Sequence, residues 1–64
     1  MEPMTKNKIK VFRKEKRMKQ ITLAQKVGVF QSEISEIETG KRKPSVYLAL
    51  KIAGILEKSI NELF

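Results

Sequence analysis

The chain has 64 residues with neither cysteine nor histidine, which excludes disulfide staples, thiolate or imidazole metal sites and histidine-based catalysis. Its fourteen Lys and Arg against seven acids give a formal charge of +7, and no apolar run approaches the roughly 20 residues needed to cross a bilayer. The expectation is one small domain, 1–64, in a reducing cytoplasm, with a core that leaves only marginal stability.

The charge is one-sided. Twelve of the fourteen cations and five of the seven acids fall in residues 1–43, and residues 44–64 hold two of each. The whole excess therefore lies before Pro44, the footprint of a nucleic-acid-binding surface. A lysine-rich surface kept for solubility could account for any one of these lysines but explains the one-sidedness less well.

In chain order, Met1 to Met4 is expected to fray, with Pro3 outside the first helix. Thr5 or Asn7 caps that helix, which runs to about Arg17 with Ile9, Phe12 and Arg13 on one face. Arg13 on an apolar stripe has two readings: a stem that snorkels its charge to solvent, or a partly buried ion pair with Glu38. The run Lys14 to Lys19 is a cationic helix end and connection.

Residues 20–39, QITLAQKVGVFQSEISEIET, read as two short helices pinched at Gly28. Leu23, Ala24 and Val27 form the apolar stripe of the first, and Ile34 and Ile37 that of the second. Gly28 stands where the chain needs a left-handed residue, and Ala24 is small enough for two helices to cross closely. This is a helix-turn-helix.

On the second helix Gln31, Ser32, Glu33, Ser35 and Glu36 are left facing outward, and Phe30 precedes them, either as core or as an exposed ring able to touch a thymine methyl. The loop Thr39 to Ser45 opens with Gly40, carries Lys41, Arg42 and Lys43, and ends at Pro44 and the N-cap Ser45. From Val46 to about Leu56 the helix is apolar nearly all round. Val46, Ala49, Leu50, Ala53 and Leu56 are expected to face the core, which leaves Leu48, Ile52 and Ile55 as a second stripe. With Phe64, that stripe is expected to form a two-fold dimer contact. Ser59 and Glu62 read as a capping box that opens a last short helix and delivers Ile60 and Leu63 to the core.

Gln20, Leu23-Ala24, Val27-Gly28-Val29, Ile34-Ser35, Ile37-Glu38 and Gly40-Lys41 resemble the Cro/C1-type (Xre-family) helix-turn-helix domains of phage repressors and small bacterial regulators. The likeness runs without a gap from about Ile9 through Pro44-Ser45 to Ile60-Asn61-Glu62-Leu63-Phe64. It implies an all-α, compact five-helix, lambda-repressor-like fold with the helix-turn-helix at helices 2 and 3. It further implies that the first turn of helix 3 enters a major groove. Gln31 would then pair with adenine beside a permissive Ser32, and Glu33 and Glu36 would either accept from cytosine or only face solvent. Phosphate contacts would come from Lys19, Gln20, Thr39, the Gly40 and Lys41 amides, and the Lys41 and Lys43 side chains. The resemblance also favours the Arg13–Glu38 pair. The chain departs from the family's pattern at Arg17, where relatives usually have Gly, and at Lys19, where they have a Ser cap; both departures add charge close to a phosphate. Phe30 replaces a usual hydroxyl cap.

The function implied is that of a dimeric transcriptional regulator, most simply a repressor, on a palindromic operator, with no cofactor and no catalysis. The rival class is a protein-interaction module, for instance an antitoxin whose main partner is a protein. A membrane-active basic helix would explain residues 6–19 and nothing after them.

Overall fold

The computed structural model describes residues 7–64; the expectations for Met1 to Met4 and for Thr5 as a cap lie outside them. Five helices follow in order: α1 (Ile9–Glu15), α2 (Gln20–Val27), α3 (Gln31–Glu38), α4 (Val46–Leu56) and α5 (Ile60–Leu63), with no strand among the described residues. The core gathers Ile9 from α1, Leu23, Ala24 and Val27 from α2, Ile34 and Ile37 from α3, and Leu63 from α5, and α4 adds Leu48, Ile52, Ala53 and Leu56. Phe12, Met18, Val29, Ile55 and Ile60 close it from the side. α2 packs against both α3 and α4, and α5 folds back on α4.

Helix 1 is shorter than its sequence suggests, ending at Glu15 with Lys16 as its C-cap. Asn7 serves it from just outside: its Oδ1 accepts from the Ile9 amide at 3.1 Å, and its Nδ2 donates to the Ile37 carbonyl at 2.8 Å. A single side chain thus starts α1 and ties it to the end of α3. The Ser45 cap accepts from the Leu48 amide at 3.1 Å. The Ser59–Glu62 capping box is complete, and the Ser59 amide holds the Glu62 carboxyl below its ordinary range.

α4 is rotated relative to the expectation. Val46 and Leu50, expected in the core, are 78% and 56% exposed, while Leu48 and Ile52, expected at a dimer contact, are 8% and 0% exposed and belong to the core. Ile55 is half-buried against that same core, and Phe64 is 47% exposed at the chain's end. The physical reason is that α4 carries apolar residues on nearly every side, so hydrophobic period alone leaves its rotation open. Contact with α2 and α5 then selects the 48/49/52/53/56 face.

Four connections turn through a left-handed residue: Arg17 (φ 56), Gly28 (φ 82), Gly40 (φ 83) and Glu57 (φ 60). Each is followed by an amide reaching back into the preceding helix, such as Met18 to the Arg13 carbonyl at 3.0 Å and Lys58 to that of Ala53 at 3.0 Å. Glycine occupies this conformation at no steric cost. A side chain costs roughly 1–2 kcal/mol there, partly offset by about 0.5–1 kcal/mol of extra chain entropy that glycine loses on folding. Arg17→Gly should therefore stabilise the domain by about 0.5–1 kcal/mol and raise the thermal midpoint by roughly 2–8 °C. A calorimetric midpoint that fell would contradict this. Glu57→Gly acts in the same direction, less the exposed Lys16 contact at 2.9 Å that it gives up.

Candidate nucleic-acid interface

α2 ends at Gly28, whose amide and that of Val29 both reach the Ala24 carbonyl, at 2.8 and 3.0 Å. Ala24 is fully buried at this crossing, and Val29 tucks against the core under the turn. The chain then extends through Phe30 (φ −77, ψ 153) into α3, which begins without a side-chain cap. Phe30 is 80% exposed, which decides between its two readings: it is not core. Gln31 and Ser32 are exposed beside it, and Ile34 and Ile37 anchor the opposite face of α3 in the core. Glu33, half-buried, lies in the first turn, where a negative charge complements the helix dipole.

Behind this face Arg13 and Glu38 meet as an ion pair whose side chains are 7% and 2% exposed. Arg13 Nε donates to Glu38 Oε2 at 2.7 Å, Nη2 to Oε1 at 3.2 Å, and Nη1 to the Met18 carbonyl at 2.7 Å. Gln20 Nε2 donates to Glu38 Oε1 at 3.0 Å. No buried side-chain polar atom among the described residues is left without a partner. That satisfaction makes a buried charge pair tolerable. An ionised carboxylate only accepts hydrogen bonds, so Gln20 must turn its amide nitrogen to Glu38 and its oxygen outward. The outward Gln20 oxygen lies 3.5 Å from Gln31 Nε2, a long contact that links the buried pair to the start of α3. One of the two N–H donors on Gln20 Nε2, the group expected to meet a phosphate, is thus committed to Glu38.

The C-terminal end of α3 also departs from expectation. The Gly40 amide donates to the Ile37 carbonyl at 3.1 Å and the Lys41 amide to that of Glu36 at 2.9 Å. The Thr39 hydroxyl lies 3.1 and 3.2 Å from the Ser35 and Glu36 carbonyls. Helix carbonyls left unpaired by the end of α3 take up these donors, so Thr39, Gly40 and the Lys41 amide close the helix. The side chains of Lys19, Lys41 and Lys43 remain exposed.

Arg42 is the residue that sequence reasoning passed over. Its Nε donates to Glu36 Oε1 at 2.8 Å, and that bond, with the charges of Glu36 and Glu33, raises the guanidinium pKa above its ordinary value. An acid six positions before an arginine across a glycine turn was the available signal; only the folded turn brings the two together. Among the described residues no cluster of His, Cys, Asp or Glu could hold a metal ion, and no helix is long and apolar enough to cross a membrane.

Known proteins agree with this arrangement. The family model described as helix-turn-helix matches residues 9–63. An uncharacterized HTH-type transcriptional regulator of Methanocaldococcus jannaschii, MJ0272, is 42% identical over 59 residues, spanning 92% of this chain and 89% of that one. A second such regulator, from Archaeoglobus fulgidus, is 44% identical over 57 residues, spanning 89% and 81%. Among solved structures, the restriction-modification controller protein C.AhdI of Aeromonas hydrophila superposes with a TM-score of 0.81 at 33% identity, over 89% of this chain and 83% of its own. A Bacteroides fragilis protein superposes with a TM-score of 0.82 at 31% identity, over 91% and 94%. With the five helices, the Gly28 turn and the matched span in agreement, the chain belongs to the Cro/C1-type helix-turn-helix family of DNA-binding transcriptional regulators.

Proposed function

We propose that this protein binds duplex DNA sequence-specifically as a cytoplasmic homodimer and represses transcription by occluding a promoter, without catalysis. The observation that carries the reading is the exposed start of α3. Phe30, Gln31 and Ser32 stand free of the core, and exposed lysines precede α2 and follow α3. In a major groove Gln31 would pair with adenine and Phe30 would touch a thymine methyl, with Ser32, Glu33 and Glu36 along the same flank. Lys19, Lys41 and Lys43 would hold phosphates. Two-fold symmetry asks for a palindromic operator with half-sites about 10 bp apart or a multiple of that.

The proposed dimer contact is the outer face of α4. Val46, Tyr47 and Leu50 are 78%, 70% and 56% exposed there, and Lys51 lies 5.0 Å from the Tyr47 ring centre. Three large apolar side chains clustered on one helix are more than scattered surface residues require. The same face could instead receive a different protein, as the interaction-module reading would have it.

Selection of bound sites from random duplexes, followed by gel shifts, tests the reading. Lys41→Ala should weaken binding to every duplex and reduce the salt slope by about one. Gln31→Ala should cost about 1–3 kcal/mol on the selected site and relax preference at one position. If the protein selects no duplex, the interaction-module reading takes its place.

A further inference from the structure

Resting on the DNA-binding reading above, we infer that Arg42 supplies the guanine-reading group that α3 itself lacks, and that Glu36 is the positioning residue that aims it. Between Gln31 and Glu38 there is neither lysine nor arginine, so the helix alone has no partner for the commonest specific base contact, a fork on guanine O6 and N7. The loop after α3 returns to the helix. The Glu36 carbonyl receives the Lys41 and Arg42 amides at 2.9 and 3.3 Å, and its carboxylate receives Arg42 Nε at 2.8 Å. The Arg42 guanidinium is thereby held against the polar flank of α3, while both side chains stay about half exposed, at 52% and 44%.

The donor used decides the geometry. Glu36 takes Nε, which leaves the two terminal amino groups, Nη1 and Nη2, as the parallel pair that fits guanine end-on. The charge balance favours a base over a phosphate. A guanidinium already paired with a carboxylate adds little net attraction to the backbone, which Lys41 and Lys43, in no ion pair among the described residues, serve better. The pairing uses only the Nε–H and leaves the donors of both terminal amino groups free of Glu36. The same pairing removes the repulsion that a bare Glu36 would meet between two phosphate strands.

The experiment is site selection from a randomised duplex pool with the full chain as wild type, Arg42→Ala and Glu36→Ala. The wild type should choose guanine at one fixed position of each half-site, by roughly tenfold over other bases. Arg42→Ala should lose that preference and keep the others. Replacing the selected guanine by 7-deazaguanine should weaken the wild type and leave Arg42→Ala unaffected. Glu36→Ala removes the acceptor, keeps the cation and frees it to swing, so the guanine preference should fall to a few-fold while binding to unrelated duplexes rises. Both residues are exposed, and unchanged thermal melts should accompany both variants. A uniform loss on all duplexes for Arg42→Ala, with base preferences intact, would make Arg42 a phosphate contact and overturn the inference while DNA binding stands. An unchanged guanine preference in Glu36→Ala would overturn the positioning role. If the wild type binds no duplex at all, the inference and the reading beneath it fall together.

Discussion

Glu38→Ala is expected to cost about 3–5 kcal/mol and to leave the domain largely unfolded at room temperature. Two features set that size. The Arg13 and Glu38 side chains are 7% and 2% exposed, so removing the acid strands a guanidinium in the interior. The same carboxylate also receives Gln20, whose amide would lose its acceptor. A domain of this length has about 3–5 kcal/mol of net stability from a single core, so one such loss consumes nearly all of it. The double variant Arg13→Met/Glu38→Leu should recover most of the loss, because apolar side chains of similar volume avoid the desolvation cost of both charges. Urea melts of the single and double variants, followed by circular dichroism, measure both effects. A single-variant loss below about 1 kcal/mol would mean that solvent reaches the pair, contrary to its burial.

On the DNA side, Leu50→Glu is expected to have the largest effect. Placing a carboxylate at the centre of the Val46, Tyr47 and Leu50 face should dissociate the proposed dimer without touching the core, since Leu50 is 56% exposed. Two linked reading heads bind a palindrome more tightly than one by about 10²–10⁴, an advantage lost when they separate. Binding to the full operator should therefore fall by about that factor, and binding to a single half-site should not change. Sedimentation of both proteins over a concentration series checks the cause. A wild type that stays monomeric at tens of micromolar removes the dimer; an unchanged variant dimer moves the contact elsewhere. At concentrations where the wild type is dimeric, the variant's melting midpoint should be lower by the stabilisation that association supplies, and at high dilution the two midpoints should converge.

What could be read in advance followed from how clearly each segment divides its two sides. Leu23, Ala24 and Val27, and Ile34 and Ile37, stand against polar neighbours, so the buried faces of α2 and α3 were legible from spacing, and both stripes are in the core. Local chemistry was equally legible. Gly28 is left-handed, Ser45 caps α4, and Ser59 and Glu62 make their box. α4 gave no such contrast, and its rotation was misjudged for that reason. Arg17 and Glu57 show the converse limit: two helix ends adopt the same left-handed turn as Gly28 and Gly40, with residues that do not favour it. There the fold imposes the turn, and the strain is borne locally.

By itself the sequence determined the number and order of the helices, the turn between α2 and α3, the caps, and the stretch of chain that carries the excess positive charge. These depend on neighbours a few residues apart, and such terms are written directly in the chain. Only the tertiary structure decided which face of α4 is buried, that Phe30 is exposed, that the Gly40 and Lys41 amides are consumed in closing α3, and that Arg42 is drawn onto Glu36. Each of those depends on which groups compete for the same space or the same acceptor once the helices have docked, and no count of residues along the chain contains that competition.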